Sequence, residues 1–363
     1  MEDNKRITVK DIANELQISP GTVSKALSGK RGISEAMRSR IYDTAVSMGY
    51  RVNRTAQCLA RKPIRIGITY PAVWAQYYDE LIHGMERALD SLRDFNVIGE
   101  FKTFSSLYSM DELSDIVHQY IDEQVDAVIL CPASITTCDV LLQELKSHNI
   151  PVFLVGNDFY PDLRTDCIRV NAILAGKLAG ELMNYLTEEN ANLLAFIGDK
   201  SLTEHAEKIT GFCSELQGGR RLVSCFETQD EPQVAAYLIQ KSIQEIHNIQ
   251  GVYVATGNSI SICDVLSQNE ATRSIKLIVT DWFDDLIPYV HQHRIHAVVF
   301  QNPAAQGEIA IRRCYDYLTK HTLTSQHLIT PTVLLRNNLL EMEHLEKNQF
   351  SSSDVVCPYD TLK

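Results

Sequence analysis

The sequence predicts a two-part α/β core preceded by an all-α headpiece of helix-turn-helix type. Three observations carry this. From Ile64 onward, eleven short apolar runs rich in Ile and Val alternate with amphipathic stretches. The first 50 residues instead show three helical patterns and no strand pattern. Charge divides at the same place: residues 1–62 hold 12 Lys/Arg against 6 Asp/Glu, a segment of +6 on a chain of −12, leaving −18 on the other 301 residues.

At 363 residues the chain is too long for one compact domain. Its 45% hydrophobic and 22% charged content is that of a globular protein. No apolar run reaches the roughly 18 residues that a membrane helix needs, so no membrane partner is expected. The start, MEDNKRITVKD, is polar and is read as no signal peptide. Nine cysteines without a CxxC pair suit reduced thiols, and a cytoplasmic location is expected. A basic end on an acidic body is the asymmetry of a nucleic-acid-binding module, although a solvated basic face would give the same counts.

In the headpiece, Thr8-Val9-Lys10-Asp11 has capping-box form, and Ile12, Ala13 and Leu16 follow on one face. Ile18 packs the turn. Ser19 can cap a second helix that begins with Pro20, where the missing N–H costs nothing. Val23, Ala26 and Leu27 form that helix's apolar side, leaving Thr22, Ser24 and Lys25 for other contacts. Ser34 caps a third helix with Met37, Ile41, Ala45 and Met48 inward, and Gly49 can close it in the left-handed conformation. Helix-turn-helix units lay the second helix in the DNA major groove; another small helical bundle would show the same pattern.

The core strands are read at 64–70, 95–101, 125–131, 150–156, 167–170, 192–199, 221–226, 249–255, 275–281, 295–300 and 330–335. Helices fall between most of them, as at 76–93, 172–187 and 203–217. Strand–helix alternation implies parallel sheets with right-handed crossovers, and eleven strands imply two subdomains. The expected organisation is a headpiece (1–50), a hinge and linker (51–63), a core (64–340) and a tail (341–363). Within the core, the first subdomain is set at about 64–160 plus 286–327 and the second at about 161–285 plus 328–340.

Ligands of such sheets bind beyond the carboxyl ends of the strands. Those ends carry Trp74, Tyr77, Tyr78, Asn157, Asp158, Thr256, Asn258, Asp281, Trp282, Gln301 and Asn302, with Lys208 on a following helix. Taken singly, each suits a cap or a solvated loop. As a set, aromatics with amides and carboxylates can stack on a pyranose or polyol and bond its hydroxyls. GxxxxGK[ST], GxGxxG, GxSxG and HExxH are all missing, so no enzyme, cofactor or metal is expected. His291, His293 and His296 are read as surface histidines. Leu339, Leu340, Met342 and Leu345 fall short of the heptads a zipper needs, which favours a dimer.

The run from Ile7 to Lys62 resembles the headpiece and hinge of the lactose repressor family. The motifs are V-x-D-I-A at 9–13, S-x-x-T-V-S-K at 19–25 and G-Y-x-x-N-R-x-A-x-x-L-A at 49–60. The resemblance implies that Pro20, Gly21 and Lys25 lie against bases, that Thr22, Ser24 and Arg38 meet phosphate, and that Thr8 and Ser19 complete the set. Gly21 has no side chain to read with, so no relative's operator transfers to this chain. Asn53, Arg54, Ala56 and Leu59 would form a hinge helix entering the minor groove, Leu59 wedging between base pairs. Val52 stands where many relatives carry proline. The body resembles the periplasmic sugar-binding fold, making the expected core an α/β two-subdomain periplasmic-binding-protein-like one. Tyr77-Tyr78 match its paired aromatics, and Asp281 and Gln301 match ligand-facing positions. Lys208 replaces the arginine of an R-x-x-G-F motif, and Asn258 is shifted by one residue. The implied function is a homodimeric repressor binding double-stranded DNA at a pseudo-palindromic operator, controlled by a small neutral sugar or polyol. The alternative is control by a protein co-effector.

Overall fold

The structure is a computed structural model and describes residues 7–27, 32–50, 62–72, 75–105, 109–131, 138–323 and 328–341. The expected hinge residues Asn53, Arg54, Ala56 and Leu59, together with Trp74 and most of the tail, lie outside these. The chain divides into two compact units near Lys62.

The first unit holds α1 (Val9–Leu16), α2 (Pro20–Leu27) and α3 (Glu35–Ser47). Its core is small: Ile12, Ala13, Val23, Ala26, Ile41 and Ala45, with Leu16, Ile18, Met37 and Met48 packed around them. Caps fix each start. The Asp11 carboxylate accepts the Thr8 N–H at 2.7 Å, and Ser19 Oγ accepts the Thr22 N–H at 3.1 Å. Gly49 ends α3 at φ +69°, a left-handed turn that glycine adopts without strain.

The second unit holds strands β1 (Ile64–Pro71), β2 (Val97–Phe104), β3 (Ala127–Leu130), β4 (Val152–Val155), β5 (Asp166–Val170), β6 (Asn192–Ile197), β7 (Arg221–Glu227), β8 (Ile249–Val254), β9 (Lys276–Thr280), β10 (Ile295–Phe300), β11 (Leu328–Ile329) and β12 (Thr332–Leu334). Its helices are α4 (Ala75–Ser91), α5 (Met110–Asp122), α6 (Cys138–Ser147), α7 (Ala172–Leu186), α8 (Thr203–Glu215), α9 (Pro232–Glu245), α10 (Ile260–Ser267), α11 (Ile287–His291) and α12 (Pro303–Lys320). Two six-stranded sheets result, ordered β11-β5-β4-β3-β1-β2 and β12-β10-β9-β8-β6-β7. β3 and β4 are buried at every position because helices cover both faces of a parallel sheet.

The sheets correct the expected boundaries. β5 pairs with β4, so the first crossing between subdomains lies after Val170 rather than near 160. β10 pairs with β9, which moves the return crossing from about 286 to beyond Phe300. The two residues of β11 join β5 before the chain crosses a third time. β12 runs antiparallel to β10, the exception in otherwise parallel sheets. The strand expected at 167–170 is present, but its own residues do not say which sheet it joins, and β11 has only two residues. His296 is also corrected. It is half-buried, its Nδ1 accepts the Leu277 N–H at 3.3 Å, and burial lowers its pKa to about 4.

Each subdomain has one pair of helices that cross at contact distance. A Cβ on Gly84 of α4 would lie 1.9 Å from the Ala304 carbonyl oxygen at the start of α12. A Cβ on Gly176 of α7 would lie 1.9 Å from the carbonyl oxygen of Lys208 on α8. Only glycine permits either approach, and the second fixes the height at which α8 presents Lys208.

Candidate functional site

The carboxyl ends of the two sheets bring together residues far apart in sequence. Tyr77 and Tyr78 come from the first turn of α4, their rings meeting edge to face at 5.2 Å. Tyr78 is buried and also stacks on Tyr70 at 6.0 Å. Half-buried Tyr77 packs against the second subdomain's core, which includes Trp282 and Phe283. In the opposite sense, Leu202 of the second subdomain packs in the first subdomain's core with Phe104, Cys138 and Phe159. The two halves therefore touch directly. Burial raises both tyrosine hydroxyls well above their ordinary pKa, and Glu204 adds to each, with Asp281 also acting on Tyr77 and Asp230 on Tyr78.

The second subdomain supplies the charges. Lys208 is 1% exposed, and its ammonium lies 2.5 Å from Glu204 one helical turn earlier. It also donates to the Ala255 carbonyl at 3.2 Å. Burial works against both charged forms, but mutual attraction prevails: Glu204 stays below and Lys208 above its ordinary pKa. Lys208, expected as the cation offered to a ligand, is held by α8 on Glu204 and buried. Asp281 and Gln301 are partners rather than separate groups. The Asp281 carboxylate accepts the Gln301 N–H at 2.9 Å and the Gln301 side-chain amide at 2.6 Å. Asp281 is 2% exposed and left-handed at φ +62°; burial lifts its pKa to about 6 despite those bonds and Lys208.

Asn157 and Asn258 are half-buried at their strand ends, and Asn258 Nδ2 is a buried donor with no partner among the described residues. Asp158 is held by Arg164 at 2.5 Å, and Asn302 caps α12 by accepting the Ala305 N–H at 3.1 Å. Sequence reasoning missed three groups. Glu204 was legible as the i−4 neighbour of Lys208. His205 Nδ1 lies 3.1 Å from the Asp199 backbone nitrogen and 2.9 Å from its carbonyl oxygen, with its pKa lowered by burial and by Lys208. Asp230 accepts the Thr256 hydroxyl at 2.5 Å from a loop where it and Gln229 are both left-handed, and no sequence signal marks it.

In the first unit, Pro20, Gly21, Ser24 and Lys25 are exposed on α2, while Val23 and Ala26 turn inward. Thr22 is tied to Ser19 through their hydroxyls at 2.8 Å, and Thr8 caps α1. Arg38 reaches back from α3 to donate to the Ala26 carbonyl at 2.8 Å, which gives it a packing role between helices.

A family model of the periplasmic binding protein domain matches residues 66–322. The chain belongs to that family. Among curated proteins, it is 25% identical to catabolite control protein A of Priestia megaterium over 209 residues, 57% of this chain and 60% of that one. The chain thus spans less than two thirds of the length of the curated relatives it matches. Among solved structures, GanP, a glucose-galactose binding protein from Geobacillus stearothermophilus, superposes with a TM-score of 0.69 at 18% identity, over 77% of this chain and 99% of that one. An Agrobacterium vitis solute binding protein bound with α-D-tagatopyranose gives 0.70 at 17%, over 78% and 98%. At these identities the likeness is one of fold. Among the described residues, no helix is long and apolar enough to cross a membrane, and no group of three metal-ligating side chains is present.

A cavity of about 860 Å³ lies elsewhere, at the amino ends of β8 and β9, lined in part by Tyr185, His247, Gln250 and Lys276. It is at the far end of the second sheet from Asp281 and shares none of the carboxyl-end residues described above.

Proposed function

We propose that this protein is a DNA-binding transcription regulator, acting as a repressor, whose operator affinity is set by a small sugar held between its two α/β subdomains. The observation that carries the reading is the joining, in one chain, of a +6 three-helix segment to a core of the periplasmic binding protein domain family. The first unit is read as a helix-turn-helix, with α2 in the major groove and Pro20, Gly21 and Lys25 facing bases. Similarity to catabolite control proteins supports a regulator, and the sugar-binding structural neighbours support a sugar effector. A single headpiece buries too little surface for tight specific binding, so two chains act together on a two-fold site. The effector bridges tyrosines of the first subdomain and acids of the second, and its occupancy biases their relative orientation.

Binding-site selection from random duplex DNA by the full chain tests this. The expected outcome is one pseudo-palindromic sequence bound by two chains, with affinity falling steeply as salt rises. Failure to enrich any sequence contradicts the regulator reading.

A further inference from the structure

We propose that the effector carries a positive charge: it is a sugar bearing a protonated amine rather than a neutral hexose. The inference rests on the reading of the cleft as an effector site and names the chemistry that site selects. It follows from a balance of charges at the strand ends. On the first subdomain, residues 72–76, 105–109 and 131–138, which follow β1, β2 and β3, contain no charged residue. After β4, Asp158 is matched by Arg164 at 2.5 Å. On the second subdomain, Glu204 is matched by Lys208 at 2.5 Å, Arg169 by Glu207 at 2.5 Å, and Lys200 by Glu227 at 2.8 Å.

Of the remaining carboxylates, half-buried Asp199 accepts the Ser201 N–H at 2.7 Å, while buried Asp281 and half-buried Asp230 form no ion pair among the described residues; Lys208 acts on both, but its own pair is Glu204. Asp230 takes a neutral hydroxyl from Thr256 at 2.5 Å, and Asp281 takes two neutral amide donors from Gln301 at 2.9 and 2.6 Å. Their neighbour His205 is held towards its neutral form by burial and by Lys208. A desolvated carboxylate without a counter-charge is costly, and both acids show it: burial raises each above its ordinary pKa. Two further polar groups lie in the segments that follow β8 and β9. Ser259 Oγ and Trp282 Nε1 are buried with no hydrogen bond among the described residues. A ligand supplying hydroxyls to such groups and an ammonium to the carboxylates satisfies both shortages, because charge-assisted hydrogen bonds are the stronger kind. A neutral sugar satisfies only the first.

The test is titration calorimetry on the full chain with D-glucosamine, D-galactosamine and D-mannosamine, each beside its parent hexose and its N-acetyl derivative. The N-acetyl form keeps most of the shape and removes the charge. At least one free amine is expected to bind about tenfold or more tighter than both its neutral counterparts. Asp230→Asn and Asp281→Asn are each expected to shrink that ratio, with thermal unfolding checking that the variants fold. A parent hexose or N-acetyl sugar binding as tightly as every free amine overturns the inference and leaves the effector reading standing. Binding by none of these compounds overturns both.

Discussion

The two compact units solve opposite problems. The three-helix unit buries six small apolar side chains and keeps Pro20, Gly21, Ser24 and Lys25 at the surface. The α/β unit withdraws its polar groups from water and bonds them to one another: Glu204 to Lys208, Asp230 to Thr256, Asp281 to Gln301. The proposed contact of the first unit with a large polyanion needs only fixed helices and exposed charge. The proposed selection of a small molecule by the second needs it desolvated, so the polar groups there are desolvated too, and most bond to one another. Changes in the α/β unit should therefore register as stability, and changes on the exposed face of α2 as binding.

The sharpest way to break this contrast is Glu204→Ala. It leaves the Lys208 ammonium buried without its counter-charge, and about 3–5 kcal/mol of stability should be lost from the α/β unit in denaturant unfolding. The double change Glu204→Gln/Lys208→Met should recover most of that loss, and a single variant as stable as wild type would mean the pair is not buried. Gly176→Ala comes next. Its added methyl collides with the Lys208 carbonyl, for an expected loss of about 1–3 kcal/mol by overpacking.

Asp281→Asn acts in the other direction. The folded pKa of Asp281 is raised from 3.8 to about 6, so the native state holds a proton that the unfolded chain has released. Stability from this group falls as pH rises from 3.8 to about 6, and the full penalty applies at neutral pH. The amide removes the penalty, so Asp281→Asn should gain about 1–3 kcal/mol at about pH 7 by thermal unfolding, a gain that vanishes below about pH 4. An unchanged melting temperature at neutral pH would show that the carboxylate is not desolvated. Lys25→Ala should have the smallest effect on folding, within about 0.5 kcal/mol. Its operator affinity should nevertheless drop by about 1–3 kcal/mol in a gel-shift titration if Lys25 reads a base.

Much of the fold was legible because the central strands carry buried apolar runs: Ile66, Ile68, Val128, Ile129 and Leu154 admit few other readings. β11 was harder, having two residues, and the sheet that β5 joins is not written in its own residues. Of the cleft, the residue types at strand ends could be read, but not their pairing. Asp281 and Gln301 are 20 residues apart and meet only because β9 and β10 are neighbours. Lys208 looked available because its charge, and not its burial, is written in the sequence. Asp230 gave no signal at all, being set by two consecutive left-handed residues.

The central claim is that the cleft governs the headpiece. Its most direct test is operator affinity with and without saturating cleft ligand, in wild type and in Asp281→Ala. Coupling predicts a change of about fivefold or more in wild type, equivalent to about 1 kcal/mol. Asp281→Ala should bind the operator as wild type does and respond no longer. A wild-type protein that binds both operator and ligand, with neither affecting the other, would contradict the account.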